Sequence, residues 1–178
     1  MRIYYTDKYE GGPGESHRLL QQVLALHTGD KELAKTLIGV MKKGEHGKPY
    51  IEGFSCFSIS HTGNIWAVLI ADSEYEDCGL DIQLSRKCNY MAIAERWFAP
   101  EDVATITSAD EFFRIWTRRE ALVKALGGTV YDAGLNAVTG DCLTAGGKEY
   151  MISDISVANV PGLYAAICFC RNCNERQE

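Results

Sequence analysis

One stretch of this chain carries marks for both ends of a helix and a chemical stripe along its face. Ser108-Ala109-Asp110-Glu111 has the Ser-x-x-Glu form of a capping box, and Gly127-Gly128 offers the left-handed stop that ends helices. Between them Trp116, Glu120 and Lys124 recur every four residues, so they share one helix face. Upstream, Gly79-Leu80-Asp81-Ile82-Gln83 reads as a strand on which Asp81 and Gln83 point to the same side. A strand offering Asp and Gln beside a helix offering Glu and Lys suits magnesium held next to a pyrophosphate. The ion takes hard oxygen ligands, and an ammonium one turn along neutralises a phosphate. Taken singly, each residue has a plainer explanation. Glu120 and Lys124 fit a surface ion pair worth about 0.2–0.5 kcal/mol. Trp116 fits a core residue and Asp81 a strand-end turn. The order and spacing of all of them together favour the site.

The rest of the chain alternates helical and strand patterns. Residues 15–40 read as helical through Leu19, Leu20, Val23, Leu24 and Leu26, with a break at Thr28-Gly29-Asp30. Asp30 is placed to cap a second helix through Leu33, Leu37 and Val40. Lys42 to Pro49 is a basic, glycine-bearing loop. Phe57 to His61 alternates like a strand, and Ile65 to Ala71 is almost continuously apolar. The two can pair across Thr62-Gly63-Asn64 as a hairpin. Cys78 to Leu84 is the next strand. Asn89 to Trp97 is a short helix with Met91, Ile93 and Ala94 inward, stopped near Pro100. In the last third, Ala145-Gly146-Gly147 links two strands, and Asn159-Val160-Pro161-Gly162 links Tyr150–Val157 to Leu163–Cys170. Helices followed by antiparallel strands imply an α+β fold.

Composition narrows the function. The 178 residues are 46% hydrophobic and 24% charged, an ordinary globular balance. No apolar run approaches the roughly 20 residues that span a bilayer. Met1 to Asp7 carries no apolar leader, so the expectation is a cytoplasmic protein without a membrane partner. A net charge of −6 argues against a nucleic-acid partner. The seven cysteines are spread through apolar contexts and read as small buried hydrophobes. The denser run Cys168, Cys170, Cys173 lacks a nearby fourth ligand for a closed zinc site.

The two motifs resemble those of the 4′-phosphopantetheinyl transferases, in which a Gly-x-Asp-Ile/Val-Glu strand precedes a Trp-Ser/Thr-x-Lys-Glu-Ser/Ala-x-x-Lys helix. Further segments agree in order: Ser16-His17-Arg18-Leu19-Leu20, Gly47-Lys48-Pro49, Phe57-Ser58-Ile59-Ser60-His61-Thr62-Gly63 and Arg96-Trp97-Phe98. The resemblance runs from about Ser16 to about Thr129. It implies two similar small α+β lobes related by a pseudo-twofold axis, here residues 1–75 and 76–178 packed as one unit.

The resemblance also implies an activity: magnesium-dependent transfer of the 4′-phosphopantetheine arm of coenzyme A to a serine of an acyl or peptidyl carrier protein, releasing 3′,5′-ADP, as in holo-[acyl-carrier-protein] synthases. It assigns Asp81, Gln83 and Glu120 to the metal. Glu120 and Lys124 are the catalytic pair, and Arg18, Lys48, His61 and Lys124 contact coenzyme A. Two positions depart from the family pattern. Gln83 replaces an acidic residue, which removes one negative charge from the metal site, and Arg119 replaces the lysine before the motif glutamate. An acidic carrier requires a locally basic surface, which Arg86, Lys87, Arg96, Arg114, Arg118 and Arg119 are expected to supply. The chain is expected to act as a monomer. The rival readings are a non-catalytic carrier-binding module, a magnesium-dependent pyrophosphate hydrolase and a cysteine-rich metal-binding regulator.

Overall fold

The computed structural model describes residues 1–128 and 136–171. Strand β1 (Arg2–Thr6) is followed by helices α1 (Glu15–Thr28) and α2 (Lys31–Gly39). The break between them falls where expected. Gly29 adopts a left-handed conformation at φ 73° to end α1, and the Asp30 carboxylate accepts from the amides of Glu32 and Leu33 at 2.8 and 3.0 Å. The basic stretch after α2 is a minimal hairpin rather than an open loop. Strands β2 (Lys42–Lys43) and β3 (Pro49–Tyr50) pair around a turn closed by the Gly47 amide on the Gly44 carbonyl.

Strands β4 (Phe57–Thr62) and β5 (Ile65–Ile70) form the expected hairpin, with β1 on the far side of β5. The apolar run in β5 has a direct cause: the strand is buried on both faces. Trp66, Val68 and Ile70 pack with Leu20, Val23 and Leu24 of α1, and Ile65, Ala67 and Leu69 pack with Cys78, Leu80 and Ile82. Alternation is lost because neither side meets water.

Strand β6 (Tyr75–Leu84) leads to α3 (Tyr90–Trp97), α4 (Pro100–Val103) and α5 (Ala109–Leu126). Pro100 ends one helix and begins the next. It sits in the first turn of α4, where its missing N–H costs nothing. Helix α5 starts at the predicted cap, with Ser108 accepting from the Glu111 amide at 3.2 Å, and stops at left-handed Gly127. Strands β7 (Cys142–Ala145), β8 (Lys148–Asp154) and β9 (Leu163–Arg171) complete an antiparallel sheet of order β6-β9-β8-β7. Helix α5 lies on this sheet through Ile115, Leu122 and Ala125, packed with Ile152, Ala166 and Cys168. The architecture is mixed α+β.

The join between β4 and β6 is made by side chains. The amides of Leu80, Ile82 and Leu84 donate to the hydroxyls of Ser58, Ser60 and Thr62 at 2.9, 3.2 and 3.1 Å. Both strands advance two residues per rung in the same direction. They therefore run side by side, joined by a ladder of hydroxyls.

Among the described residues no helix is long and apolar enough to cross a membrane. Cys168 and Cys170 are buried within β9, as small hydrophobes would be. Cys173, the third member of that run, lies outside the described residues.

Candidate functional site

Alternation along β6 turns Leu80 and Ile82 toward β5, leaving Gly79, Asp81 and Gln83 on the face toward α5. Gly79 permits an unusually close crossing there. A Cβ at this position would lie 1.9 Å from the Ala121 carbonyl oxygen and 2.6 Å from the Ala125 nitrogen. Strand and helix backbones therefore touch, and residues one turn either way along α5 come within reach of Asp81. Trp116, Glu120 and Lys124 line one cleft of about 440 Å³ together with Asp81, Gln83, Ser60 and His61. The expected stripe thus faces the expected strand residues.

Asp81 is the centre of this arrangement. It is only 6% exposed, and one carboxylate oxygen accepts both from Lys124 Nζ at 2.7 Å and from Ser60 Oγ at 2.9 Å. Burial pushes its carboxyl above the ordinary value, against the pull of the Lys124 ammonium and the Ser60 hydroxyl. Glu120 is raised too, first by burial and then by the negative charge of Asp81. Two carboxylates held this way in one cleft gain from a cation placed between them, since it supplies the compensation that burial removed. Asp81, Glu120 and Gln83 offer oxygen donors: two carboxylates and an amide carbonyl. That set fits magnesium. Among the described residues no cluster of three His, Cys, Asp or Glu side chains is present, so such an ion would complete its shell with amide, water and substrate oxygens.

The same shifts predict a pH signature. A carboxyl raised on folding contributes stability that is fully present below its unfolded value and lost as pH rises through its folded value. In chelator, Glu120→Gln should therefore gain stability relative to the parent as pH rises above about 4, the ordinary glutamate value. Magnesium should narrow the gap. Thermal unfolding of both proteins from about pH 4 upward is the measurement. A gap that stays constant with pH would show that Glu120 is not raised.

The remaining expected residues are placed unevenly. Gln83 lines the cleft, its amide nitrogen donating to the Leu84 carbonyl at 2.8 Å and to Thr62 Oγ1 at 3.4 Å. His61 is exposed at the cleft, its ring 5.1 Å from that of Tyr9. Lys48 lies in the wall of a neighbouring cleft, with its ammonium on the carbonyls of Cys78 and Ala125 at 3.0 and 3.3 Å. Arg18 is exposed on α1, outside the lining of the Asp81 cleft. Ser60 and its neighbours in the ladder were not expected as site residues. Their signal is the alternation Ser58-x-Ser60-x-Thr62, a polar face inside an otherwise apolar strand environment.

The expected basic surface needs a correction. Arg118 and Arg119 are 1% and 3% exposed and cannot face a partner. Arg118 donates to the carbonyls of Val138 and Gly140, both at 2.6 Å, and pairs with Asp141 and Asp154. Arg119 reaches the Asn136 carbonyl at 3.2 Å and approaches the buried Asp102 carboxylate at 3.8 Å. Both guanidiniums tie α5 to the segment that follows it. Arg86, Lys87 and Arg96 are exposed, while Arg114 pairs with Asp154 at 3.2 Å.

Residues 77–150 match the model of the 4′-phosphopantetheinyl transferase superfamily. That segment contains Asp81, Gln83, Glu120 and Lys124. The chain is 33% identical over 109 residues to the Synechocystis protein slr0495, provisionally described as a 4′-phosphopantetheinyl transferase; the match covers 55% of this chain and 43% of that protein. It is 34% identical over 97 residues to the 4′-phosphopantetheinyl transferase AcpT of Escherichia coli K12, covering 49% of each. To AcpT of Salmonella typhi it is 31% identical over 99 residues, covering 51% of each. The chain spans about half the length of the curated relatives it matches.

Proposed function

We propose that this chain, which carries the 4′-phosphopantetheinyl transferase superfamily segment at residues 77–150, moves the phosphopantetheine arm of coenzyme A to a serine of an acyl or peptidyl carrier protein. The observation that carries this reading is the convergence of Asp81 from β6 with Glu120 and Lys124 from α5 in one cleft. Asp81 and Glu120, with the Gln83 amide oxygen, would hold magnesium, which when bound supplies charge neutralisation to the pyrophosphate. The serine oxygen attacks the β-phosphorus. The bond to the bridging oxygen breaks, and 3′,5′-ADP leaves with the electron pair. Glu120, with its raised proton affinity, is suited to accept the serine proton. Lys124, now on Asp81, would turn its ammonium to a phosphate oxygen once a cation compensates that carboxylate. Phosphoryl transfer depends mainly on such positioning and charge neutralisation.

For the nucleotide end of coenzyme A we assign His61 at the cleft, with Arg18 and Lys48 further out. Lys48 donates to the carbonyls of Cys78 and Ala125, and its ammonium has a third N–H to offer a phosphate. Residues 1–75 and 76–178 are read as two lobes about a pseudo-twofold axis, with the site at the hydroxyl ladder between them. The protein is read as a cytoplasmic monomer of the holo-[acyl-carrier-protein] synthase type.

Mass spectrometry tests the reaction. A purified carrier protein incubated with coenzyme A, magnesium and this protein should gain one phosphopantetheine arm on serine, and a chelator should prevent it. Cleavage of coenzyme A without a carrier would replace this reading with a pyrophosphate hydrolase. Carrier binding without any mass gain would replace it with a binding module.

Position 83 gives a further prediction. Gln83→Glu adds a third anionic oxygen and should lower the magnesium concentration needed for half-maximal rate. The substitution also removes the donor to the Leu84 carbonyl and puts a carboxylate near it. In chelator the variant should therefore unfold at a lower temperature than the parent, and magnesium should recover the difference. Identical magnesium titrations would remove Gln83 from the metal site.

A further inference from the structure

The hydroxyl ladder between β4 and β6 keeps a constant offset of 22 residues: Ser58 with Leu80, Ser60 with Ile82, Thr62 with Leu84. One rung earlier the same offset pairs Cys56 with Cys78. Cys56 Sγ reaches the Tyr75 carbonyl of β6 at 3.5 Å, and both cysteine side chains pack in the apolar cluster between β5 and β6. Neither is in a disulfide. The ladder spacing puts the two backbones one side chain apart, the kind of separation that a disulfide bridges, with Cα atoms about 4.4–6.8 Å apart.

We infer that Cys56 and Cys78 are an oxidisable thiol pair, closed by hydroperoxides to a disulfide that joins the start of β4 to β6. The two members differ as an attacking and a resolving cysteine should. Cys56 is half-buried in the wall of an open cleft of about 580 Å³, so a small oxidant can reach it. Cys78 is fully buried behind it. Interaction with Cys78 and the nearby Lys48 ammonium favour the Cys56 thiolate, whereas interaction with Cys56 and burial hold the Cys78 thiol well above its ordinary value.

The chemistry balances with a hydroperoxide as the two-electron oxidant. The Cys56 thiolate attacks the outer peroxide oxygen and the O–O bond breaks. The alkoxide or hydroxide leaves and takes up a proton, and Cys56 becomes a sulfenic acid. Its negative charge is then gone, which removes part of what raises the Cys78 thiol. The Cys78 sulfur gives up its proton and attacks the Cys56 sulfur. The S–O bond breaks, and water departs carrying that proton. Two thiols are oxidised to one disulfide, and the peroxide is reduced to water and an alcohol, or to two waters. This site does not depend on the transferase reading.

Peptide mapping of the full chain treated with hydrogen peroxide tests the pair. No Lys or Arg lies between the two cysteines, but cleavage after Glu74 and Glu76 separates them. Without reductant, the Cys56 and Cys78 peptides should run as one species two mass units below their sum and separate on addition of dithiothreitol. Cys56→Ser should abolish the link, and it suits the fold because serine already forms the next rungs. Replacing exposed Cys142 by serine should leave the link unchanged. Cys56 oxidised to sulfinic acid while Cys78 stays a free thiol, or joined to a different cysteine, would overturn the proposal.

Discussion

Glu120→Gln and Asp81→Asn should each lower the rate of arm transfer by at least about 100-fold, the scale expected when one electrostatic stabiliser is removed from a phosphoryl or acyl transfer site. Neither should unfold the protein. Both carboxyls are held above their ordinary values, mainly by burial, so their charged forms are a burden to the folded chain without a cation. Neutralising Glu120 also relieves its repulsion with Asp81. Asn at position 81 keeps an oxygen for Ser60 Oγ and Lys124 Nζ, and the Lys124 side chain, 28% exposed, retains water for its charge. Glu120→Gln should therefore unfold in chelator at the parent's temperature or above it. This opposition separates a functional carboxylate from a structural one: activity collapses while stability holds or rises. Transfer kinetics alongside thermal unfolding are the measurements. Near-parental turnover would displace the carboxylate from the site. Joint loss of turnover and stability would make it a structural residue.

What could be read from the chain before folding follows from how local each interaction is. The ends of α5 were legible because Ser108 bonds three residues away and Gly127 acts on its own turn. The pairing of β4 with β5 was legible because only Gly63 and Asn64 separate the strands. Asp81, Glu120 and Lys124 could be brought together from their face periodicities alone, given a strand and a helix that pack. The hydroxyl ladder was not legible. Its donors and acceptors are 22 residues apart, and isolated serines on a strand carry no sign of the strand they will meet.

Arg118 and Arg119 show the opposite failure. A charged residue on a helix is read as exposed, because burial is unfavourable without a partner. Their partners are remote: Asp102 lies in α4, while Asp141 and Asp154 flank the β7–β8 hairpin. Asp102 is itself fully buried and accepts from the amides of Val138 and Thr139 at 2.9 and 3.1 Å. The two arginines therefore serve the return of the chain from α5 to β7. On the proposed function, a docking surface for an acidic carrier would rest on the exposed Arg86, Lys87 and Arg96 instead. The departure from lysine at position 119 also changes meaning, since a planar guanidinium can serve Asp102 and a carbonyl together.

Among the glycines of the described residues compared for space, Gly79→Ala should be the most damaging methyl addition. The residue does not need a left-handed backbone; its requirement is space. The added Cβ would sit 1.9 Å from the Ala121 oxygen, 2.6 Å from the Ala125 nitrogen and 2.9 Å from the Ala121 carbonyl carbon. All three are backbone atoms of α5, so no side chain can rotate away, and truncating Ala121 to glycine would not help. The helix must lift from β6. That opens the packing of Ala121, Leu122 and Ala125 against the sheet and strains a well-filled interior, at a cost of about 3 kcal/mol or more. For a chain of this size the unfolding temperature should fall by roughly 6–12 °C. Activity should fall further than stability, because the same displacement carries Glu120 and Lys124 away from Asp81. The 2.7 Å Lys124–Asp81 contact depends on that backbone crossing. At a temperature where the variant is still folded, transfer should be lost and added magnesium should not restore it. Parental unfolding temperature and turnover in Gly79→Ala would show that β6 and α5 do not touch at this point, and the geometry assigned to the site would go with it.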